Sequence, residues 1–275
     1  MRVTAVAVLL LVLITPQSVH AAPIHDAVKA GDLHTVSTLI TEDPTLVHLE
    51  DADSETPLGW AVEKGNRAMV ELLLSKGASV HDKTTKGETP LHSAAAAQQE
   101  EMLKFLLERG AEVNVKDENG NSPLILALEE NSGKGAKLLL SKGADANSTD
   151  SVGGTPLQRA AALGSSTVVK LLLENGAHLD AADKSGFTAL MDAVRVGKED
   201  TVKLLLSKGA STSPVDLAGF TALHLAAFNG RRNIAELLVM HKADPQARDE
   251  NGKTPCQIAL DEGKQDVADF LCKLK

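Results

Sequence analysis

From residue 56 onward the apolar positions fall into pairs of short clusters that return at a fixed interval. In one unit Leu58 and Ala61 make the first cluster and Val70, Leu73 and Leu74 the second. Each unit opens on a short box: Thr56-Pro57-Leu58, Thr89-Pro90-Leu91-His92, Ser122-Pro123-Leu124, Thr155-Pro156-Leu157, Thr188-Ala189-Leu190, Thr221-Ala222-Leu223-His224 and Thr254-Pro255-Cys256. The interval between boxes is 33 residues throughout. Such a period marks an array of stacked units, each leaving an apolar face for its neighbours to cover.

The residue types predict two helices per unit. The box Thr offers its hydroxyl to an orphan backbone N–H, and Pro follows at the first helical position, where its missing N–H is not needed. Glycine ends the first helix at Gly65, Gly164, Gly197, Gly230 and Gly263, and the second at Gly77, Gly110, Gly143, Gly176 and Gly209. A second helix such as Val202-Lys203-Leu204-Leu205-Leu206 then runs back against the first. Both are too short to be stable alone, so stability comes from stacking. An Asp-x-x-Gly turn precedes the next box at Asp117–Gly120, Asp150–Gly153, Asp183–Gly186, Asp216–Gly219 and Asp249–Gly252.

Box, glycines and turn together resemble the ankyrin repeat family. The resemblance implies an all-α solenoid of stacked antiparallel helix pairs with β-hairpin-like finger loops. Eight repeats are expected, over about 22–55, 56–88, 89–121, 122–154, 155–187, 188–220, 221–253 and 254–275. The first has a degraded opening: Ile24-His25-Asp26-Ala27-Val28 supplies its first helix and Leu33 to Ile40 its second. It is one residue longer than the others, with the excess in the Asp43-Pro44-Thr45-Leu46-Val47 turn, where an insertion costs least. The last repeat carries Gln265, Asp266, Asp269 and Lys273, as a closing cap should.

Residues 1–21 stand apart from the array. Arg2, the unbroken apolar run Val6 to Ile14, Pro16 and the small-residue site Val19-His20-Ala21 before Ala22 read as a Sec-type signal peptide. The mature chain is then expected to begin at Ala22. Losing Arg2 leaves 28 − 1 = 27 Lys and Arg against 37 Asp and Glu, which moves the formal charge from −9 to −10. That acidic balance, with five Phe, one Trp and no Tyr, argues against nucleic-acid binding. An exported bare solenoid is similar to periplasmic ankyrin proteins of Gram-negative bacteria. The periplasm is therefore the first expectation, secretion beyond the cell the second, with no membrane association once the signal is removed.

Chemistry is scarce. His92 and His224 hold the fourth box position, where the family places a His that bonds backbone between repeats. No His-x-x-x-His, Cys-x-x-Cys or carboxylate cluster has metal-ligand spacing. Ser132-Gly133-Lys134-Gly135-Ala136-Lys137 lacks the order of a phosphate loop and falls between two helices. Asn147-Ser148-Thr149 is a glycosylation sequon, but Asn147 is also the ordinary loop Asn that matches Asn114. We expect no catalytic residue, cofactor or metal. Cys256 and Cys272 stand at positions that are apolar in the other repeats, so both are expected in the core, either as small buried hydrophobes or as a disulfide joining the two helices of the cap.

The family resemblance places partner contacts on the concave face, at the finger tips and late in the first helix. In the fifth to seventh repeats, with each finger counted from here on with the box it precedes, those places hold Val152, Leu163, Phe187, Arg195, Val196, Leu217, Phe220, Phe228 and Asn229. Seven of these nine are apolar, whereas the flanks carry Glu118, Glu129, Glu130, Glu250, Asp261 and Glu262. An apolar centre with acidic ends has the layout of a protein interface. The expected function is a monomeric, non-enzymatic exported scaffold for a partner protein. The alternative is a secreted effector or inhibitor acting on a host or competitor protein. Phe187 and Phe220 are expected to sit outside the helical stack.

Overall fold

The computed structural model describes residues 23–128 and 133–274. Among the described residues there are sixteen α-helices and no strand. They form eight antiparallel pairs. The first four are α1 (Pro23–Ala30) with α2 (Leu33–Glu42), α3 (Pro57–Glu63) with α4 (Arg67–Ser75), α5 (Pro90–Ala96) with α6 (Glu100–Glu108), and α7 (Pro123–Ala127) with α8 (Lys134–Ser141). Then come α9 (Pro156–Leu163) with α10 (Ser166–Glu174), α11 (Ala189–Val196) with α12 (Glu199–Ser207), α13 (Ala222–Phe228) with α14 (Arg232–Met240), and α15 (Pro255–Asp261) with α16 (Gln265–Leu271). A 3-10 turn, Pro44–His48, takes up the extra residue of the first repeat. The proposed signal segment lies outside the described residues. No described helix is long and apolar enough to cross a membrane.

The boxes cap the helices as their sequence predicts. Thr155 Oγ1 accepts from Gln158 N while Gln158 Oε1 accepts from Thr155 N, and Thr254 with Gln257 repeats the arrangement. The apolar clusters then meet in one continuous core. Leu58, Leu91, Leu124, Leu157, Leu190 and Leu223 are all buried, and the first helices of successive repeats stack on one another along the array.

Finger loops are tight turns held by their Asp. Asp183 Oδ1 accepts from Ser185 N at 2.8 Å and Phe187 N at 2.9 Å, and Asp216 does the same for Ala218 and Phe220. Gly186 has φ +84°, and a Cβ there would meet Val215 O of the next finger at 2.6 Å, so only glycine fits. Among the described residues the hairpin character is limited to one isolated antiparallel bridge, Ala182 with Thr188.

A second set of bonds joins repeats, and it alternates. His92 Nδ1 accepts from Thr89 N, which leaves the proton on Nε2 to donate to Asn121 O at 3.2 Å. His224 does the same from Thr221 to Lys253 O at 3.1 Å, and Gln158 Nε2 donates to Phe187 O at 2.6 Å. Burial pushes both imidazole pKa values down, so each ring stays neutral, as its two bonds require. The intervening repeats carry Gly59, Ile125 and Met191 at this position, which cannot make the bond. Every second joint therefore lacks this bridge and is held by apolar packing and by the bonds between successive loops.

One core position is mismatched. Thr201 is fully buried and its Oγ1 has no hydrogen-bond partner, at a place where adjacent repeats carry Val168 and Ile234. An unsatisfied buried hydroxyl costs about 1 to 3 kcal/mol. Thr201→Val is therefore expected to raise stability by roughly 1 kcal/mol, seen as a higher urea midpoint. An unchanged or lower midpoint would count against the assignment.

Candidate functional site: the finger face

Successive fingers are tied tip to tip. Ser151 N donates to Asn119 O at 2.7 Å, Lys184 N to Val152 O at 3.0 Å, Leu217 N to Ser185 O at 3.0 Å and Glu250 N to Ala218 O at 3.1 Å. Each tip backbone is thereby fixed by its neighbour, and the side chains it bears are presented as one row. Along this row Val152 is 61% exposed and Leu217 is 71% exposed. At the ends of the first helices behind it, Val196 and Phe228 are 38% and 44% exposed. Apolar groups held this far into water by a rigid backbone are the feature of this face that packing does not account for.

The other sequence-predicted residues are less free. Phe187 and Phe220 are half-buried and pack against the core, contrary to the expectation that they lie outside the stack. Phe220 lies flat on the His224 ring, centroids 5.4 Å apart, and meets the edge of Phe228 at 6.4 Å, so it links finger to helix. Arg195 places its guanidinium 5.9 Å from the centre of the Phe187 ring and donates to Asp192 at 2.8 Å. Leu163 is half-buried. Asn229 is too, and its Nδ2 donates to Leu225 O at 2.9 Å, which closes the end of α13. Val215, 50% exposed beside the seventh finger, extends the apolar surface. Sequence reading missed it because it precedes the finger Asp and lies outside the contact register.

The flanks are acidic. Glu118 and Glu250 are exposed, and Asp261 is bound to Lys253 at 2.7 Å. Glu129 and Glu130 lie outside the described residues. The same face also holds a cavity of about 400 Å³ in the second to fourth repeats, lined by Glu55, Glu63, Glu88, His92, Ser93 and Leu126 among others. Its sequence signal was glycine in place of the bridging side chain at Gly59, next to Glu55 and Glu88 just before their boxes.

Both cysteines differ from their expected setting. Cys256 is half-buried and Cys272 exposed. The two are joined by a disulfide, with Cα atoms 5.1 Å apart. Among the described residues no group of His, Cys, Asp or Glu could hold a metal ion.

A family profile described as "Ankyrin repeats (3 copies)" matches residues 6–84, 24–117, 80–150, 124–216 and 210–275. Among solved structures, the crystal structure of the human ASB11 ankyrin repeat domain is similar, with a TM-score of 0.70 and 28% identity. That match covers 79% of this chain and 97% of the other.

Proposed function

Because this chain belongs to the ankyrin repeat family, whose arrays are generally protein-binding scaffolds, we propose that it is an exported, non-enzymatic scaffold that holds a partner protein on the finger face of its fifth to seventh repeats. The observation that carries this reading is the row of exposed apolar side chains, Val152, Val196, Leu217 and Phe228, on a backbone that is itself rigidly bonded. Rigid presentation keeps the ordering cost of binding low, because the side chains are already placed before a partner arrives. The reading is tested with the full mature chain as bait, wild type against Leu217→Asp. It requires a partner that the wild type retains and the variant loses while both melt alike. Equal retention by both would overturn it.

Export to the periplasm is proposed on the charge, apolar run and small-residue site of the first 21 residues. The purified native protein is expected to start at Ala22 and to leave the cells on osmotic shock. Peptides containing Met1 or Arg2 in its mass spectrum would contradict this.

A further inference from the structure

The joint between the second and third repeats is built differently from its neighbours. At the next joint His92 bridges to Asn121 O, but here the matching position is Gly59. The space is taken by the Glu55 side chain, which folds so closely over Gly59 that a Cβ there would collide with its Oε2. Oε2 is buried and has no hydrogen-bond partner.

The surrounding groups do not compensate a charge at this place. Asp51 faces Glu55 from its own finger, Glu63 from α3, Glu88 and Lys86 from the next finger, and His92 from α5 across the cavity. Three of these five are carboxylates. Lys86, the cation among them, already donates from Nζ to Asp53 O at 2.6 Å. His92 is held neutral by its burial.

Asp51, four residues away, shows what donors do. Burial works to raise its pKa, but the Trp60 indole N–H at 2.7 Å, the backbone N–H groups of Glu55 and Asp53 and the Lys29 ammonium hold it at about 2. Glu55 has the burial without the donors. Desolvation first, then the charges of Glu88, Glu63 and Asp51, push it up to about 7.

We propose that Glu55 is a proton-dependent latch between the second and third repeats, keeping them packed while its carboxyl is neutral and loosening that joint when it ionises. The direction follows from linkage. The folded state binds the proton more tightly than the unfolded chain, where the group titrates near 4.5. Its contribution is therefore full below that value and is lost as pH rises through about 7. Because an array couples only neighbour to neighbour, release at this joint frees the first two repeats without disturbing the fifth to eighth. The latch holds whether or not the finger face is the partner site.

The test uses the full mature chain, with the Glu55 carboxyl followed by carbon-13 NMR and amide protection factors, corrected for intrinsic exchange, measured at pH 6 and 8.5. Glu55 is expected to titrate near 7. Protection in α3 and α4 should fall at least tenfold between the two pH values, while that of α11 and α12 stays constant. Glu55→Gln should remove the pH dependence. If that variant does not fold, Glu88→Gln serves instead and should lower the Glu55 midpoint by removing a facing charge. Titration of Glu55 with the exposed glutamates, or a Glu55→Gln profile that still falls with pH like the wild type, would overturn the proposal.

Discussion

Removing the Cys256–Cys272 bond is expected to cost the last repeat about 3 kcal/mol and to leave the middle of the array untouched. The bond ties the first turn of α15 to the residue that closes α16, across a separation of 16 residues. Closing a loop of about that length removes roughly 3 kcal/mol of unfolded-chain entropy. The position magnifies the effect. Inner repeats are packed on both sides, whereas among the described residues α15 packs on α13 and α16 on α14, and α16 has just seven residues. Seven residues form no stable helix without packing. In a one-dimensional stack the loss stays local. Reduction by dithiothreitol, or the double variant Cys256→Ala with Cys272→Ala, should therefore speed amide exchange over 254–274 by about a hundredfold, while α9 to α12 keep their protection. A uniform fall along the chain, or no change in the last repeat, would contradict this.

The second large effect concerns binding. Truncating Leu217 or Phe228 to Ala should weaken partner affinity by roughly 1 to 3 kcal/mol each, the range of central apolar anchors in protein interfaces. Both are substantially exposed in the free protein, so the melting transition should hardly move. Phe220→Ala behaves differently. Its ring is half-buried between His224, Phe228 and the core, so its loss is expected to lower stability by about 1 to 2 kcal/mol as well as affinity. On the flank, Asp261→Ala should mainly change association rate and its salt dependence. Calorimetric titration of the purified pair, beside thermal melts, separates these outcomes. Loss of stability in Leu217→Ala with unaltered affinity would show that the tip row packs and does not bind.

The residues differ in how far their sequence revealed them. The helix pairs were legible because each depends on a local feature: Thr155 caps, Pro156 starts and Gly164 stops α9, all within ten residues. The bridging role of His92 and His224 came from the family resemblance, which places such a His at the fourth box position. Register could not reveal how far a position is covered by what packs over it. Cys272 aligns with Leu74 and Val239, but those side chains are covered by a following repeat and Cys272 is not. It could not foresee a side chain moving into space that another leaves, which is how Glu55 comes to lie over Gly59. Nor did it weigh His25 as a box residue. With Pro23 and Ile24 this side chain continues a worn box, and it is fully buried with Nε2 2.9 Å from Leu49 O. For the finger face, the family resemblance supplied the candidate positions, whereas the difference between Leu217 in water and Phe220 on the core needed the packing itself.

The central claim, that a protein partner sits on the finger face of the fifth to seventh repeats, is tested most directly by site-specific photocrosslinking in the native cell. A photoreactive residue is placed in turn at Leu217 and Phe228 on that face, and at Met240, an exposed apolar residue at the end of α14. The account predicts the same discrete crosslinked protein from Leu217 and Phe228 and none from Met240. Crosslinks to that protein from Met240 alone, or no discrete product from either finger-face position, would contradict it.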